Sequence, residues 1–328
     1  MLLVMAVVFV NGWTDAPNAI TNVVATSTLP YRKAVFLAAG GNLLGMLIMG
    51  MTTPSVAATV SAIVDFSAVP VRCALAVMCA AMLSIVLFAV CAWYFGIPTS
   101  ESHALMAALY GAMAALGIEM NERAAASWLK VLLGLFMSLG MGFLFGYLLV
   151  KGLGSRLSRW SGRRLDRMQI IGAGAMAFMH GAQDGQKFVA VFAIAQMLLR
   201  GTYSTAPIRL TQHIPAMLLC ALTMAVGTMA GGRRIVNMVG IKMVELKKHQ
   251  GVCADIGSAL CLLTASLTGV PMSTTHTKTT AIMGAGLGRQ GGRVDFGVIK
   301  GMLFAWGITF PVCGILGYLL ACWLLRVL

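Results

Sequence analysis

Charge is scarce in this chain. Of its 328 residues only 10% are Asp, Glu, Lys or Arg, against about 25% in a soluble domain. Such a chain cannot cover a globular surface with polar side chains, so most of its solvent is lipid. Acid is scarcer still: ten Asp and Glu stand against 24 Lys and Arg, for a net charge of +14. No Cys-x-x-Cys pair occurs among the eight cysteines. That argues against a zinc or disulfide framework, and they read as small buried hydrophobes. The apolar runs do not alternate with polar residues, which argues against a membrane β-barrel.

What remains is a series of long apolar runs. Cys73–Phe95 and Trp128–Val150 contain at most one charge each, and each exceeds the ~20 helical residues needed to cross a hydrocarbon core. Further candidates cover 1–28, 34–52, 104–118, 168–198, 211–231, 254–270, 279–288 and 297–325. The first run is taken as part of the first membrane element and not as a cleaved leader. The basic residues gather between runs: Lys151, Arg156, Arg159, Arg163, Arg164 and Arg167 in one stretch, Arg233, Arg234, Lys242, Lys247 and Lys248 in another. This is the pattern of cytoplasmic loops, so the positive charge does not point to nucleic acid. The expected fold is all-α and polytopic, in the plasma membrane.

The two halves of the sequence resemble each other. Asn11-Gly-Trp-Thr-Asp-Ala-Pro-Asn-Ala aligns with His180-Gly-Ala-Gln-Asp-Gly-Gln-Lys-Phe, and Gly96-Ile-Pro-Thr-Ser-Glu-Ser-His aligns with Gly269-Val-Pro-Met-Ser-Thr-Thr-His. Asp15 precedes His103 by 88 residues and Asp184 precedes His276 by 92. Two matches in the same order at nearly the same separation predict an internal repeat. The repeats are expected at 1–150 and 168–328, joined by a basic cytoplasmic linker at 151–167. Loop charge favours inversion of one against the other: Arg32 and Lys33 place their loop inside, whereas its counterpart at 199–210 belongs outside. A plain count gives four crossings before residue 151, and inversion needs an odd number. A segment within 1–28 or 96–127 must therefore be re-entrant or cross unexpectedly.

Four polar motifs abut the apolar runs: 11–18, 96–103, 180–187 and 269–280. Asp15, Glu101 and Asp184 fall within them, although charge at membrane depth costs about 2.5–3.5 kcal/mol per residue even on the lenient insertion scale. Polar breaks at corresponding positions of two repeats point to the binding site of a secondary transporter. Pro17, Pro98 and Pro271 interrupt helix. The order Gly, hydrophobe, Pro, then Ser or Thr suits a chain break followed by a capped helix start. A helix N-terminus presents free N–H groups and partial positive charge, which favour an anion, and Ser100, Ser102, Ser273, Thr274 and Thr275 add hydroxyls there. Carboxylates beside an oxyanion site make sense if Asp15 and Asp184 hold cations. Asn, Gln, Ser and Thr oxygens suit a hard cation.

These residues resemble the PiT inorganic phosphate transporters. The likeness rests on N-G-W-T-D-A-P-N-A-I, H-G-A-Q-D-G-Q-K, I-P-T-S-E-S-H-A-L and V-P-M-S-T-T-H-T, with G-G-R-R-I-V between them, and spans nearly the whole chain. It implies uptake of inorganic phosphate with Na⁺ or H⁺ and no other cofactor. It also implies two inverted repeats with re-entrant helical hairpins, here 96–118 and 269–288, and a homodimer in the bilayer. By position it implies phosphate contacts at Ser100, Ser102, Ser273, Thr274, Thr275, Asn18 and Gln186. Cation contacts are implied at Asp15, Asp184, Asn11, Thr14, Gln183, Asn42 and Asp255, with Na⁺ at Asp15 and Asp184. His103, His276, Lys187 and Glu101 are supporting residues. Thr14 and Gln183 stand where the family usually has Asn, which leaves the cation open. Glu101 stands where it usually has Ser or Thr, and could be protonated, hold a cation or turn away from the anion.

The bland readings are definite too. His103 and His276 could brace the hairpins by hydrogen bonds or relay protons. His180 and Asp184 are four apart and could share a helix face. Lys187 could contact the anion or pair with Asp184. The scattered methionines read as core filler. A sulfate permease of the same fold is the nearest alternative. A divalent-metal transporter would use Asp and His directly, and a membrane enzyme would need Asp15 and Asp184 as an acid–base pair. Neither explains why Ser/Thr-rich breaks occur twice.

Overall fold

A computed structural model describes residues 1–117, 121–230, 232–244, 246–288 and 295–327. The expected hairpin end at 118, Gly231 of the G-G-R-R-I-V motif and the final residue, 328, lie outside the described residues. The described residues are mostly helical, with short connections and no β-sheet among them. The helices are α1 (Leu2–Thr14), α2 (Thr21–Ala25), α3 (Tyr31–Thr52), α4 (Ser55–Ala62), α5 (Val71–Phe95), α6 (Glu101–Ala114), α7 (Glu122–Leu157), α8 (Gly162–Leu199), α9 (Ile214–Ala230), α10 (Arg233–Asn237), α11 (Lys248–Thr268), α12 (Thr274–Leu287) and α13 (Phe296–Val327).

Five of these, α3, α5, α7, α11 and α13, are long and apolar enough to cross a membrane. Phe36, Phe136, Phe304 and Trp323 lie exposed on them, as a lipid-facing surface requires. Helix α8 is longer than any of the five but carries His180, Asp184 and Lys187, all buried, in its middle. The stretch expected as a basic linker is drawn into helix: α7 runs to Leu157 and α8 begins at Gly162.

Proline and glycine set the breaks that matter. The apolar run 1–28 is broken at Asp15, because Pro17 lacks an N–H and disfavours helix at the residue before it. The chain continues as a 3-10 turn over Ala16–Ile20 and then α2. Helices α5 and α11 both end on a left-handed glycine, Gly96 and Gly269, each at φ 70°. Glycine enters that region at no steric cost, which makes it the usual residue just past a helix. An extended turn follows each, and then α6 or α12, 14 residues apiece. At 1.5 Å per residue such a helix reaches about 21 Å, short of a ~30 Å hydrocarbon core.

The two halves are intertwined. Helix α1 packs on α9 as α8 packs on α3, and α6 packs on α13 as α12 packs on α7. The correspondence extends to backbone contacts. A methyl added at Gly12 would lie 2.2 Å from the Met224 carbonyl oxygen, and one at Gly181 2.1 Å from that of Asn42. At Gly45 it would lie 1.8 Å from the Phe178 oxygen, and at Gly227 2.1 Å from that of Phe9. Only glycine lets these helices approach so closely, as is usual where membrane helices associate.

Candidate functional site

The four polar motifs meet where α1 and α8 cross the starts of α6 and α12. Ser100 and Ser273 are the N-caps of those two helices. Ser100 Oγ accepts from the His103 N–H at 3.3 Å, and Ser273 Oγ from the His276 N–H at 3.2 Å. The two hydroxyls also bond each other at 2.7 Å. The sequence folds this way because Pro98 and Pro271 forbid helix just before them, and a serine then satisfies an otherwise orphaned first-turn donor. Two helix starts thus touch tip to tip inside the protein, each presenting free N–H groups.

Two carboxylates face these tips. Asp15 accepts from the Thr275 hydroxyl and from Asn18 Nδ2 at 3.0 Å, and Asn18 also reaches Thr275 Oγ1 at 3.1 Å. Asp184 accepts from Lys187 Nζ at 2.7 Å, Ser102 Oγ at 3.1 Å and Asn11 Nδ2 at 3.4 Å. The Thr274 hydroxyl lies between the two, 3.4 Å from Asp15 Oδ2 and 3.0 Å from Asp184 Oδ2. A hydroxyl has one proton to give, so it cannot satisfy both oxygens at once. His180 Nε2 lies 3.3 Å from Asp184 Oδ2, with its Nδ1 3.0 Å from Asn42 Oδ1. Asp15, His180 and Asp184 each offer a ligand atom within 4.8 Å of the others. The two carboxylates and the Thr274 and Thr275 hydroxyls beside them are oxygen donors of the kind a hard cation takes.

Glu101 completes the acid inventory. It is 1% exposed, and its Oε1 lies 3.1 Å from Thr14 Oγ1, whose single proton the Val10 carbonyl oxygen also accepts at 2.8 Å. Were Asp15, Asp184 and Glu101 all ionised against the Lys187 ammonium, the centre would carry two net negative charges. An oxyanion cannot enter such a centre until cations or protons offset them, since uncompensated charge in a dry interior is very costly.

Other residues singled out from the sequence are engaged elsewhere. Gln183 braces the second tip: its Nε2 donates to Ser266 Oγ at 3.0 Å, and its Oε1 accepts from the Met272 N–H at 3.3 Å. Gln186 turns to α4, where its Oε1 accepts from the Ala57 N–H at 3.3 Å. Asn42 links α3 to α9 through Thr228 at 3.2 Å, besides meeting His180. His103 and His276 meet edge to face, ring centroids 4.3 Å apart, and neither ring nitrogen of His276 has a hydrogen-bond partner among the described residues. The tips are held instead by Trp306, whose ring lies 4.0 Å from that of His276 and whose Nε1 donates to the Pro98 carbonyl at 3.0 Å.

Asp255 belongs to a second cluster. Its Oδ1 accepts from Lys278 Nζ and from Asn22 Nδ2 at 2.8 Å. Asp255, Lys278 and Asn22 are all buried. The sequence reading overlooked Lys278, although a lysine one turn beyond Thr274 in an otherwise uncharged helix was the available signal. The repeat alignment places Met82 and Leu105 opposite Asp255 and Lys278, so the first half is apolar where the second is ionic.

Buried charge at the junction of two interlocked helical repeats defines a multi-pass membrane transporter. The chain matches the model of the phosphate transporter family at residues 11–159 and 155–317. It is 32% identical over 320 residues to a "probable low-affinity inorganic phosphate transporter" of Rhizobium meliloti strain 1021, covering 95% of this chain and 91% of that one. A protein of the same description from Bacillus subtilis strain 168 is also 32% identical, over 97% of this chain and 93% of its own. A solved structure titled "The sodium-dependent phosphate transporter" superposes with a TM-score of 0.80 at 20% identity, over 100% of this chain and 98% of that one. The chain belongs to the phosphate transporter family.

Proposed function

We propose that this protein imports inorganic phosphate by symport with Na⁺ or H⁺, the oxyanion binding between the starts of α6 and α12 and the cation beside Asp15. One observation carries the reading: two buried carboxylates, Asp15 at the end of α1 and Asp184 within α8, converge on a pair of hydroxyl-rich helix N-termini. The N-termini favour the anion and the carboxylates favour the cation, so each ligand offsets the charge that would exclude the other. Energetics require such coupling. A dianion entering a cell against 100 mV loses about 4.6 kcal/mol, at about 2.3 kcal/mol per charge. Two cations cancel this, and more make uptake favourable. In this reading α6 and α12 are the ends of re-entrant hairpins in inverted repeats, and the Ser100–Ser273 contact opens to admit the anion. Phosphate near neutral pH can donate a hydrogen bond where sulfate cannot, and a nearby carboxylate rewards that difference.

The test is uptake of labelled phosphate and sulfate into proteoliposomes, with Na⁺ and proton gradients imposed separately. Phosphate accumulation driven by one of the gradients, and lost in folded Asp15→Asn, is the expected result. Gradient-independent uptake, or normal transport by Asp15→Asn, refutes the cation assignment.

A further inference from the structure

The two central carboxylates are built alike in all but charge. The repeat alignment pairs Asp15 with Asp184, Asn18 with Lys187, and Thr275 with Ser102. Each trio closes the same triangle across the repeats. In the first, Asn18 Nδ2 donates to Asp15 at 3.0 Å and to Thr275 at 3.1 Å, while Thr275 donates to Asp15. In the second, Lys187 Nζ donates to Asp184 at 2.7 Å and to Ser102 at 2.6 Å, while Ser102 donates to Asp184 at 3.1 Å. A neutral amide thus stands three residues after one carboxylate, and an ammonium three residues after the other.

Lys187 has no donor left for an anion. An ammonium carries three N–H groups, and the third goes to the Met272 carbonyl oxygen at 2.6 Å. Its side chain is wholly buried. Carboxylate, hydroxyl and carbonyl oxygens on one centre are the ligand set a hard cation selects. Here the cation is covalently attached.

We propose that Lys187 is a tethered cation, whose ammonium fills the cation position at Asp184 throughout the cycle, so that of the two central carboxylates Asp15 alone takes a mobile coupling ion. The proposal rests on the symport reading above and sharpens it. The lysine contributes one positive charge that never crosses the membrane. The chain therefore moves one fewer coupling cation per phosphate than it would with a neutral residue at this position.

The experiment measures charge moved per phosphate in proteoliposomes, from the membrane voltage at which net phosphate flux vanishes under fixed gradients. Lys187→Gln should carry one more positive charge per phosphate than the wild type, whereas Lys187→Arg should match the wild type. An unchanged count in Lys187→Gln, or a raised count in Lys187→Arg, overturns the proposal. Absence of cation-coupled phosphate flux in the wild type would instead defeat the symport reading, so the two failures are separable. Should Lys187→Gln fold but not transport, purified Lys187→Ala decides. Ammonium or methylammonium should raise its melting temperature saturably and leave the wild type unmoved. No saturable shift in Lys187→Ala overturns the proposal.

Discussion

The closest helix contacts give a prediction whose size can be worked from the structure. At Gly45 an added methyl would lie 1.8 Å from the Phe178 carbonyl oxygen, about 1.5 Å inside ordinary contact. The obstacle is backbone on both sides, so no side chain can turn away, and α3 and α8 must separate. Overpacking of this kind costs about 1–3 kcal/mol, partly offset by the up to ~1 kcal/mol that alanine gains over glycine within a helix. Gly40, on the same helix, is exposed and meets nothing within 4 Å, so Gly40→Ala should keep only the propensity gain. The propensity gain is common to both, so the two variants should differ by the overpacking cost of about 1–3 kcal/mol, or roughly 2–6 °C in melting temperature at about 2 °C per kcal/mol for a chain this large. Thermal unfolding in detergent measures this difference. Phosphate uptake should fall in Gly45→Ala and not in Gly40→Ala, because Phe178 lies two residues before His180 on the helix that carries Asp184. Two variants melting within about 1 °C of each other would show that the helix contact is not as tight as described.

Further outcomes follow from other contacts. Asp255→Asn or Lys278→Met alone should lower stability by about 3–5 kcal/mol, because each leaves an uncompensated buried charge or an unpaired partner. The double variant Asp255→Met with Lys278→Leu copies the apolar Met82 and Leu105 of the first half and should recover most of that loss in a thermal melt. Alanine should be less tolerated at Gly269 than at Gly96: both carry φ 70°, but a methyl at Gly269 also meets the Ser55 carbonyl at 3.1 Å, while Gly96 has only Arg234 Cβ at 3.9 Å. Strain alone costs about 1 kcal/mol, and the difference between the two melts reports the crowding. Trp306→Phe keeps the ring but loses the bond to the Pro98 carbonyl, and should destabilise by about 1 kcal/mol.

Much of this architecture was legible in the residues, for physical reasons. Long runs without charge can only be membrane helices, and a proline beside an aspartate inside such a run can only be a break. Glycine followed by Pro and Ser marks a helix end and a new capped start, and Gly96–Ser100 and Gly269–Ser273 took that form. Their convergence with Asp15 and Asp184 was suggested because the motifs came in matched pairs. What escaped the reading was partner choice. Gln183 and Gln186 are each four or fewer residues from Lys187, yet one meets the second tip, one meets α4 and the lysine meets Ser102. Which way each turns depends on the rotation of α8 about its axis, and that is set by the glycine contacts with α3. Asp255 and Lys278 went unpaired on paper because 23 residues and a reversal of the chain separate them. The run 151–167, expected from its charge as a linker between the repeats, is largely helical, since charge does not forbid helix and nothing in it breaks one until Ser158.

The glycine contacts also determine where this protein can move. Where backbone rests on backbone, at Gly12, Gly45, Gly181 and Gly227, no layer of side chains is available to rearrange. A slide of one residue, about 1.5 Å along the helix, would drive a Cα into a carbonyl. The helix pairs bearing Asp15 and Asp184 therefore behave as a chassis. The tips behave as a latch, closed by single hydroxyl contacts such as Ser100 on Ser273 that can be undone one at a time. In the symport proposed above, gating would fall to the latch, and the chassis would keep the ion's seat fixed while it opens.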